Sequence, residues 1–244
     1  MKVIVHGACG FMGKEVIALC EKNFKGAECV AKIDNCGGEG VFTSLKDCTV
    51  SGDVLVDFSF HTATKCLLDE AIKRNLPCII ATTGHTEEEK QDIINASKKI
   101  PVFFAANYSL GVAVTAKLVK EAVSYMSGAD IEIVETHHNR KVDAPSGTAL
   151  MLANSVIEAR PELKINTGRS GLCKREPNEI GINAIRMGNV VGIHEVMINT
   201  GNETITIKHE AHARSLFANG ALTAAEFIIG KPAGLYDMKS LLGN

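Results

Sequence analysis

The feature that most constrains the fold is a regular alternation of short apolar segments and helical segments in the N-terminal part of the chain. The pattern predicts strands at residues 3–6, 28–33, 54–58, 78–81 and 102–105, with helices at residues 14–22, 63–75 and 87–98. Such alternation is typical of parallel βαβ units, because parallel strands need a long crossover, usually a helix. The sequence therefore predicts an α/β fold with a Rossmann-like, doubly wound parallel sheet.

The pattern changes after Asn107. Helices are predicted at residues 111–126 and 149–159, and strands at residues 131–135, 181–187, 190–200 and 203–209. The last three strands are separated by Gly188-Asn189 and Gly201-Asn202, which favour two-residue hairpins. We therefore expect residues 108–216 to form an α+β domain with an open, mixed and antiparallel-rich sheet. Residues 1–107 form the first domain, completed by residues 217–244 with helices at 217–229 and 235–242.

Composition limits the class of protein. The chain has 244 residues, is 45% hydrophobic and carries a formal net charge of −2, which argues against general binding of nucleic acids or anionic membranes. We expect no membrane span, because no apolar run approaches the roughly 18–20 residues required. We also expect no signal peptide, since residues 1–5 run straight into a turn.

The eight cysteines are scattered and none forms a Cys-x-x-Cys pair. They are expected to be reduced and mostly buried, in a cytoplasmic protein. His209 and His212 could suggest a metal ligand pair, but a structural role is the favoured interpretation, and no metal site is predicted.

A glycine-rich turn separates the first strand from the first helix. Its spacing is Gly7-x-x-Gly10-x-x-Gly13, with Cys9 where a middle glycine is more common. Glycines permit a tight turn that exposes backbone N–H groups to a pyrophosphate at the helix N-terminus. Asp34 lies 21 residues after Gly13, where a carboxylate can accept hydrogen bonds from ribose hydroxyls. The turn predicts a dinucleotide site, and an ordinary glycine turn is the alternative.

The residues around this turn favour NADH over NADPH. Asp34 would repel a 2′-phosphate, and neither Asn35 nor Phe11 carries a charge to bind one, although Lys14 and Lys32 could weaken the preference. Two further segments, residues 81–84 (ATTG) and 105–108 (AANY), follow predicted strands at the edge where a doubly wound sheet binds its ligand. Their small residues leave room for a nicotinamide ring. The alternative is a pair of generic strand-end turns.

Cationic side chains crowd the segment that follows strand 131–135, namely His137, His138, Arg140 and Lys141. If the turn is partly helical, His137 and Lys141 face the same way. Ser146, Gly147 and Thr148 open the next helix, where hydroxyls and backbone N–H groups can bind a carboxylate. The segment predicts a pocket for a small dicarboxylate with groups that donate protons. The alternative is an exposed basic loop.

These motifs together resemble those of the dihydrodipicolinate reductase (4-hydroxy-tetrahydrodipicolinate reductase) family of diaminopimelate–lysine biosynthesis. The resemblance covers nearly the whole chain, and its most specific part is ETHHNRKVDAPSGTA at residues 135–149. The glycine turn, DFS at 57–59, TTG at 82–84, FAANYS at 104–109 and FANGA at 217–221 match in order. Ala81 stands where many members have glycine, and Asn35 and Phe11 stand where some have arginine.

The resemblance implies hydride transfer from NAD(P)H to a cyclic unsaturated imine dicarboxylate, and a homotetramer built by packing of second-domain sheets. It implies that His137 is a proton donor and acceptor and Lys141 the proton donor. It places substrate contacts at His138, Lys141, Gly147 and Thr148 with Thr83 nearby, in addition to Ser146 from the residue argument. It places cofactor contacts at Gly7, Ala8, Cys9, Gly10, Phe11, Met12, Asp34, Ala81, Thr82, Thr83, Ala105, Ala106, Asn107 and Tyr108.

Two other functions stay open at this stage. Another amino-acid dehydrogenase, of the homoserine or aspartate type, would share the nucleotide half but would not need the cluster at residues 137–148. A non-catalytic dinucleotide sensor would keep the glycine turn and Asp34 without proton donors. A sheet covered by helices on one face needs a partner on the other, so the second domain predicts an oligomer in each case.

Overall fold

The computed structural model describes residues 1–243. In chain order the first elements are β1 (Lys2–His6), α1 (Phe11–Glu21), β2 (Glu28–Ile33), β3 (Val41–Phe42), β4 (Val54–Asp57), α2 (Thr64–Lys73), β5 (Cys78–Ile80), α3 (Glu87–Ser97), β6 (Pro101–Phe104) and α4 (Leu110–Tyr125). They are followed by β7 (Asp130–His137), α5 (Gly147–Ala159), β8 (Lys164–Asn166), β9 (Glu179–Arg186), β10 (Gly192–Asn199), β11 (Thr204–Ala211), α6 (Ser215–Ile228), β12 (Gly234–Tyr236) and α7 (Met238–Leu241).

The chain forms two compact units, one of residues 1–110 with 214–244 and one of residues 111–213. The first unit contains a seven-stranded sheet in the order β12-β6-β5-β4-β1-β2-β3, and its paired strands are parallel. The strand order reverses between β1 and β4, which is the place where doubly wound sheets bind ligands at the carboxyl ends of their strands. The predicted Rossmann-like sheet is confirmed.

Burial explains why the central strands are continuous apolar runs. Helices that cover both faces of a parallel sheet bury both sets of side chains, so apolar residues need not alternate with polar ones. All four residues of β4 are fully buried, including the carboxylate of Asp57. The acidic start of α3 is a capping box, in which Thr86 Oγ1 accepts from Glu89 N and Glu89 Oε2 accepts from Thr86 N.

The second unit contains a five-stranded mixed sheet in the order β11-β10-β7-β9-β8. Strand β7 lies between β9, to which it is parallel, and β10, to which it is antiparallel. The hairpin predicted at Gly188-Asn189 is therefore wrong, because β7 separates the two strands that this turn joins. The hairpin at Gly201-Asn202 is present between antiparallel β10 and β11. The sheet is less antiparallel than expected, since β8 and β9 are parallel as well.

The C-terminal segment departs from the predicted helix at residues 235–242. Gly234–Tyr236 instead forms β12, which pairs in parallel with β6 and extends the first sheet. Only Met238–Leu241 is helical, capped by Asp237. The strand forms because β6 would otherwise leave its backbone groups unpaired at the sheet edge.

The cysteines are free, but the expectation that most are buried is wrong. Cys20, Cys48 and Cys78 are buried, Cys9 and Cys29 are half-buried, and Cys36, Cys66 and Cys173 are exposed. Within residues 1–243, no helix has the length and apolar character needed to cross a bilayer.

Candidate functional site

The glycine turn between β1 and α1 packs too closely for side chains at two of its glycines. Gly7 has a φ of +76°, and a Cβ there would lie 2.6 Å from the Phe58 carbonyl oxygen. A Cβ on Gly13 would lie 2.1 Å from the carbonyl oxygen of Gly7. Helix α1 begins at Phe11, earlier than predicted, so its N-terminus meets the turn directly. This cradle fits the pyrophosphate of a dinucleotide, because first-turn N–H groups lack helical partners and attract anions.

Asp34 lies at the end of β2, beside the glycine turn. Its carboxylate accepts hydrogen bonds from Cys9 N at 2.9 Å and Cys36 N at 3.3 Å. Partial burial would raise the pKa of this carboxyl, but the two backbone donors outweigh that effect and lower the pKa. Asp34 is therefore ionised at neutral pH and keeps acceptor capacity for ribose hydroxyls.

Residues 81–84 follow β5 at the same end of the sheet. Ala81 and Thr82 are buried and Thr83 is exposed. The Thr82 hydroxyl donates to Asp57 Oδ2 at 2.9 Å, and Asp57 Oδ1 lies 2.8 Å from His6 Nδ1. The sequence did not predict this buried contact between His6 and Asp57. Its only signal was an acid at the end of an otherwise apolar strand.

Residues 105–108 follow β6, and here the structure gives Tyr108 a role in the fold. Its hydroxyl lies 2.9 Å from the carbonyl oxygen of Ile80 and 3.0 Å from that of Phe103. Helix α6 passes so close that a Cβ on Gly220 would lie 1.6 Å from the Tyr108 carbonyl oxygen. The FANGA segment therefore fixes this turn, and exposed Ala106 with half-buried Ala105 and Asn107 remain the parts open to a ligand.

The candidate substrate site in the second unit is organised around a buried carboxylate, that of Glu135 on β7. Glu135 is fully buried, and four donor groups surround its carboxylate. His137 Nδ1 lies 2.5 Å from Oε2, and Ser146 N donates to Oε1 at 3.0 Å. Arg186 donates from Nη1 to Oε2 at 2.9 Å and from Nη2 to Oε1 at 2.8 Å.

These donors keep Glu135 ionised. Burial alone would raise its pKa, but hydrogen bonds from Arg186, His137 and Ser146 lower it below the ordinary value. Because the carboxylate accepts at His137 Nδ1, the proton of a neutral His137 ring sits on Nδ1, leaving Nε2 as the reactive nitrogen. A Cβ on residue 192 would lie 3.0 Å from this Nε2, so Gly192 keeps that side of the ring clear.

Ser146 is the N-cap of α5 and joins that helix to Glu135. Its Oγ accepts from Ala149 N at 3.2 Å and lies 3.0 Å from His194 Nε2. Burial, followed by the charge of His137, lowers the pKa of His194 to about 4, so this ring is neutral at neutral pH. The N–H groups in the first turn of α5 have no acceptor carbonyl within the helix. Gly147 in this turn is exposed, so the helix N-terminus suits a carboxylate ligand.

Residues 138–141 form a turn closed by a hydrogen bond from Lys141 N to His138 O at 3.1 Å, and no helix forms there, so helical spacing does not apply to His137 and Lys141. His137 is the last residue of β7, and backbone bonds from Met187 N to His137 O and from Asn139 N to Gly188 O hold the turn against β9. Lys141 Nζ contacts Asp143 Oδ1 at 2.8 Å, and the Asp143 carbonyl oxygen accepts from Arg186 Nη2 at 2.7 Å. Lys141 is thus linked to Glu135 through Asp143 and Arg186.

The remaining predicted residues are less closely associated with this cluster. Arg140 is exposed and donates to Asn189 at 2.9 Å, and His138 is half-buried. Thr83 belongs to the first unit. The sequence gave no role to Arg186 or Glu135, and it indicated His194 only as a core or strand residue, which the structure confirms. The one signal for Arg186 was a charge inside a predicted strand.

The other histidines have local partners. His61 lies 2.8 Å from Glu89 Oε2, and His85 lies 2.8 Å from Thr64 Oγ1. Among residues 1–243, neither His209 nor His212 belongs to a group of three potential metal ligands. Their structural interpretation stays a prediction.

Comparison with known proteins assigns the family. Sequence profiles described as Dihydrodipicolinate reductase, N-terminus and C-terminus match residues 1–108 and 111–242. The chain belongs to the dihydrodipicolinate reductase family. It is 47% identical to the 4-hydroxy-tetrahydrodipicolinate reductase of Caldanaerobacter subterraneus subsp. tengcongensis, covering 99% of this chain and 98% of that protein. The protein of the same name from Clostridium novyi is 43% identical, with the same shares covered.

A solved dihydrodipicolinate reductase shares the fold. The dipicolinate-bound enzyme from Paenisporosarcina sp. TG-14 superposes with a TM-score of 0.81 at 23% identity, covering 97% of each chain. The aspartate dehydrogenase of Thermotoga maritima is more distant, with a TM-score of 0.51 at 17% identity, covering 95% of this chain and 98% of that one. Family membership confirms the predicted enzyme class, an NAD(P)H-dependent oxidoreductase of the 4-hydroxy-tetrahydrodipicolinate reductase type.

Proposed function

We propose that this chain reduces 4-hydroxy-tetrahydrodipicolinate, or the dihydrodipicolinate formed from it, to tetrahydrodipicolinate in diaminopimelate–lysine biosynthesis in the cytoplasm. The observation that carries the proposal is the Glu135 carboxylate, which orients His137 and the N-terminus of α5 and is linked through Arg186 and Asp143 to Lys141. A dinucleotide sensor has no use for an oriented imidazole with a lysine nearby. An acidic substrate that must be protonated has a use for both.

We propose that residues 1–107 with 217–244 bind the cofactor, and that residues 108–216 bind the substrate and build the oligomer. Cofactor contacts are assigned to Gly7 through Met12, Asp34, Ala81 through Thr83 and Ala105 through Tyr108, although the buried Tyr108 side chain itself fixes the turn. The close packing at Gly7 and Gly13 supports this assignment, because the absence of side chains there allows a tight turn whose N–H groups a pyrophosphate can approach. When bound, the reduced nicotinamide supplies the hydride.

His138, Lys141, Ser146, Gly147 and Thr148 are proposed to hold the substrate, and Thr83 is proposed as a further substrate contact. The N-terminus of α5 receives one carboxylate, and Lys141 balances the negative charge that reduction pushes toward the ring nitrogen. Lys141 then gives the proton that completes the reduction, and His137 Nε2 donates or accepts a proton. Glu135 keeps His137 in the tautomer that leaves Nε2 reactive.

NADH is the proposed cofactor, with NADPH as the alternative. The argument rests on Asp34, which is ionised and held beside the glycine turn by Cys9 N. A second negative charge at the ribose 2′ position would face this carboxylate directly. Asn35 and Phe11 carry no positive charge to offset the repulsion.

A homotetramer is proposed from the outer face of the second sheet. Side chains that alternate with the buried ones on β7 and β10 include Val134, Ile193 and Met197, which are half-buried, and Ile185 on β9, which lies opposite Thr136 on the same face, is exposed. Apolar side chains on a sheet face in water favour packing of that face against another copy, although Glu132 and Glu195 lie among them. Light scattering coupled to size-exclusion chromatography would give the mass, and a monomer at micromolar concentration would contradict this proposal.

Lys141→Ala tests the reaction. NADH oxidation is measured with substrate generated in situ by the preceding synthase from pyruvate and aspartate semialdehyde. Because a positioned proton donor contributes about 10²–10⁴-fold, we expect kcat to fall by at least about 100-fold while KM for NADH changes little. Lys164→Ala, at an exposed lysine on β8, is the matched control and should keep the wild-type rate. Equal kcat in Lys141→Ala and wild type would remove Lys141 from the chemistry.

A further inference from the structure

Two thiols and a carboxylate meet beside the glycine turn. Cys9 Sγ, a carboxylate oxygen of Asp34 and Cys36 Sγ all lie within 4.8 Å of one another. Among residues 1–243 they are the one group of three such side chains with this spacing. Cys9 is half-buried in the turn after β1, Asp34 follows β2, and Cys36 is exposed.

The backbone fixes the group from both sides. Cys9 N donates to Asp34 Oδ2 at 2.9 Å and Cys36 N donates to Oδ1 at 3.3 Å, so both cysteines are held on one carboxylate. The Cys36 thiol lies 3.5 Å from the Gly37 carbonyl oxygen. A cation that binds here displaces the thiol protons, because metals bind the thiolate form of cysteine.

The donor set matches a thiophilic divalent cation. Zinc binds thiolate sulfur at about 2.3 Å and carboxylate oxygen at about 2.0–2.2 Å in a tetrahedron, which brings two sulfurs to roughly 3.8 Å. The separations of up to 4.8 Å therefore close by about 1 Å, which rotation of the exposed Cys36 side chain can supply. Three protein ligands leave a fourth position for water.

We propose that Cys9, Asp34 and Cys36 form a binding site for a divalent cation of the zinc class, and that this cation and the dinucleotide exclude each other. The exclusion rests on the proposed function, in which Asp34 binds the cofactor ribose. A cation that coordinates Asp34 occupies the same acceptor and covers the turn. Zinc then inhibits the enzyme competitively with NADH.

Cobalt(II) is the probe for the site itself, because thiolate ligands give it charge-transfer absorption in the near ultraviolet. The reduced full-length protein is titrated with Co²⁺ in the absence of NADH, and Zn²⁺ is then added to displace it. We expect thiolate bands that saturate at one ion per chain. Cys36→Ser should weaken binding at least tenfold, and Cys173→Ser, at an exposed cysteine of the second unit, should leave it unchanged. Bands of equal strength in wild type and Cys36→Ser would overturn the site.

Cys9→Ser is a second variant for the same titration. Its backbone N–H can still hold Asp34, so loss of the bands there reflects the missing thiol rather than a displaced carboxylate. Retention of two-thiolate bands in folded Cys9→Ser would also refute the assignment. Melting temperatures of all variants establish that they are folded.

NADH binding, followed by its fluorescence, tests the exclusion separately. In wild type the apparent Kd for NADH should rise in proportion to free Zn²⁺, and in Cys36→Ser it should stay within twofold. An unchanged Kd despite cobalt bands would overturn the exclusion. Failure to bind NADH without any metal would instead reject the proposed cofactor site, and the cobalt spectrum would still decide the metal site.

Discussion

Glu135→Gln is the substitution that most directly tests how the second-unit site is organised. Glutamine preserves the shape of the side chain but replaces one carboxylate oxygen with an NH₂ group. The two oxygens of Glu135 receive four donor contacts, from His137, Ser146 and both terminal nitrogens of Arg186. Each oxygen accepts one contact from Arg186, which cannot act as an acceptor.

Either orientation of the glutamine amide therefore sets a donor against a donor. With NH₂ in place of Oε2 it faces Arg186 Nη1, and it can bond to His137 Nδ1 only if the imidazole proton moves to Nε2. With NH₂ in place of Oε1 it faces Ser146 N and Arg186 Nη2. The first arrangement gives the wrong tautomer of His137, and the second loosens the start of α5.

The expected cost follows from the burial of the pair. Removing one partner of a buried ion pair costs about 3–5 kcal/mol. The Arg186 side chain is 19% exposed, so water can partly solvate its charge in the variant. We therefore expect the free energy of unfolding to fall by about 2–3 kcal/mol. At roughly 2–4 °C per kcal/mol for a chain of this length, the melting temperature should fall by roughly 4–12 °C.

Catalysis should suffer more than stability. Loss of the reactive tautomer removes much of an acid–base contribution of about 10²–10⁴-fold, so we expect kcat to fall by about 100-fold. KM for NADH should change less than about twofold, because Glu135 belongs to the second unit. The assay is synthase-coupled NADH oxidation below the melting temperature of the variant.

Glu132→Gln is the matched control. Glu132 lies on the same strand but on the opposite face, and it pairs with Arg169 Nη2 at 2.6 Å without a histidine partner. Its kcat should stay within about threefold of wild type. If folded Glu135→Gln retains wild-type kcat, or if both variants lose it equally, Glu135 does not position His137.

Three further predictions concern pH, cofactor choice and the glycine turn. His194 has a pKa of about 4 in the folded chain against an ordinary 6.5, so acidification through this window favours the unfolded state, which takes up the proton. Urea unfolding of wild type should show about 2 kcal/mol lost between pH 8 and pH 5 from this group, a loss absent in His194→Asn. Asp34→Ser should raise the ratio of NADPH to NADH efficiency by about tenfold or more, since the repulsion of a 2′-phosphate is removed, and an unchanged ratio would reject the role of Asp34. Gly13→Ala should abolish NADH binding and cost about 1–3 kcal/mol, because its Cβ would meet a backbone oxygen at 2.1 Å. Gly168→Ala, where the Cβ position is open, should bind NADH normally.

The first unit was predictable because its signals are local. Periodic apolar residues located its core strands to within one residue at each end, as β2 (Glu28–Ile33) and β4 (Val54–Asp57) show. The helix predicted at residues 235–242 is wrong because the interaction that decides this segment is not local. The apolar residues there fit a helix, but a free edge of β6 pairs with Gly234–Tyr236, and that edge is remote in sequence.

The second unit shows the same limit. Gly188-Asn189 has the composition of a hairpin turn, yet β9 and β10 lie on either side of β7 and never pair. A turn dipeptide describes only the bend of the chain at that point. Which strand fills the space beside β9 depends on β7, more than 40 residues earlier in the chain.

The amino-acid sequence by itself determined the family, the doubly wound sheet, and the motifs proposed to bind cofactor and substrate, because glycine spacing and clustered cations are properties of adjacent residues. The tertiary structure alone decided which groups control them. Glu135, Arg186 and His194 come from three strands, and Cys9, Asp34 and Cys36 from two loops. Their chemistry arises from burial and hydrogen bonds between residues far apart in the chain, and these depend on how the strands pair.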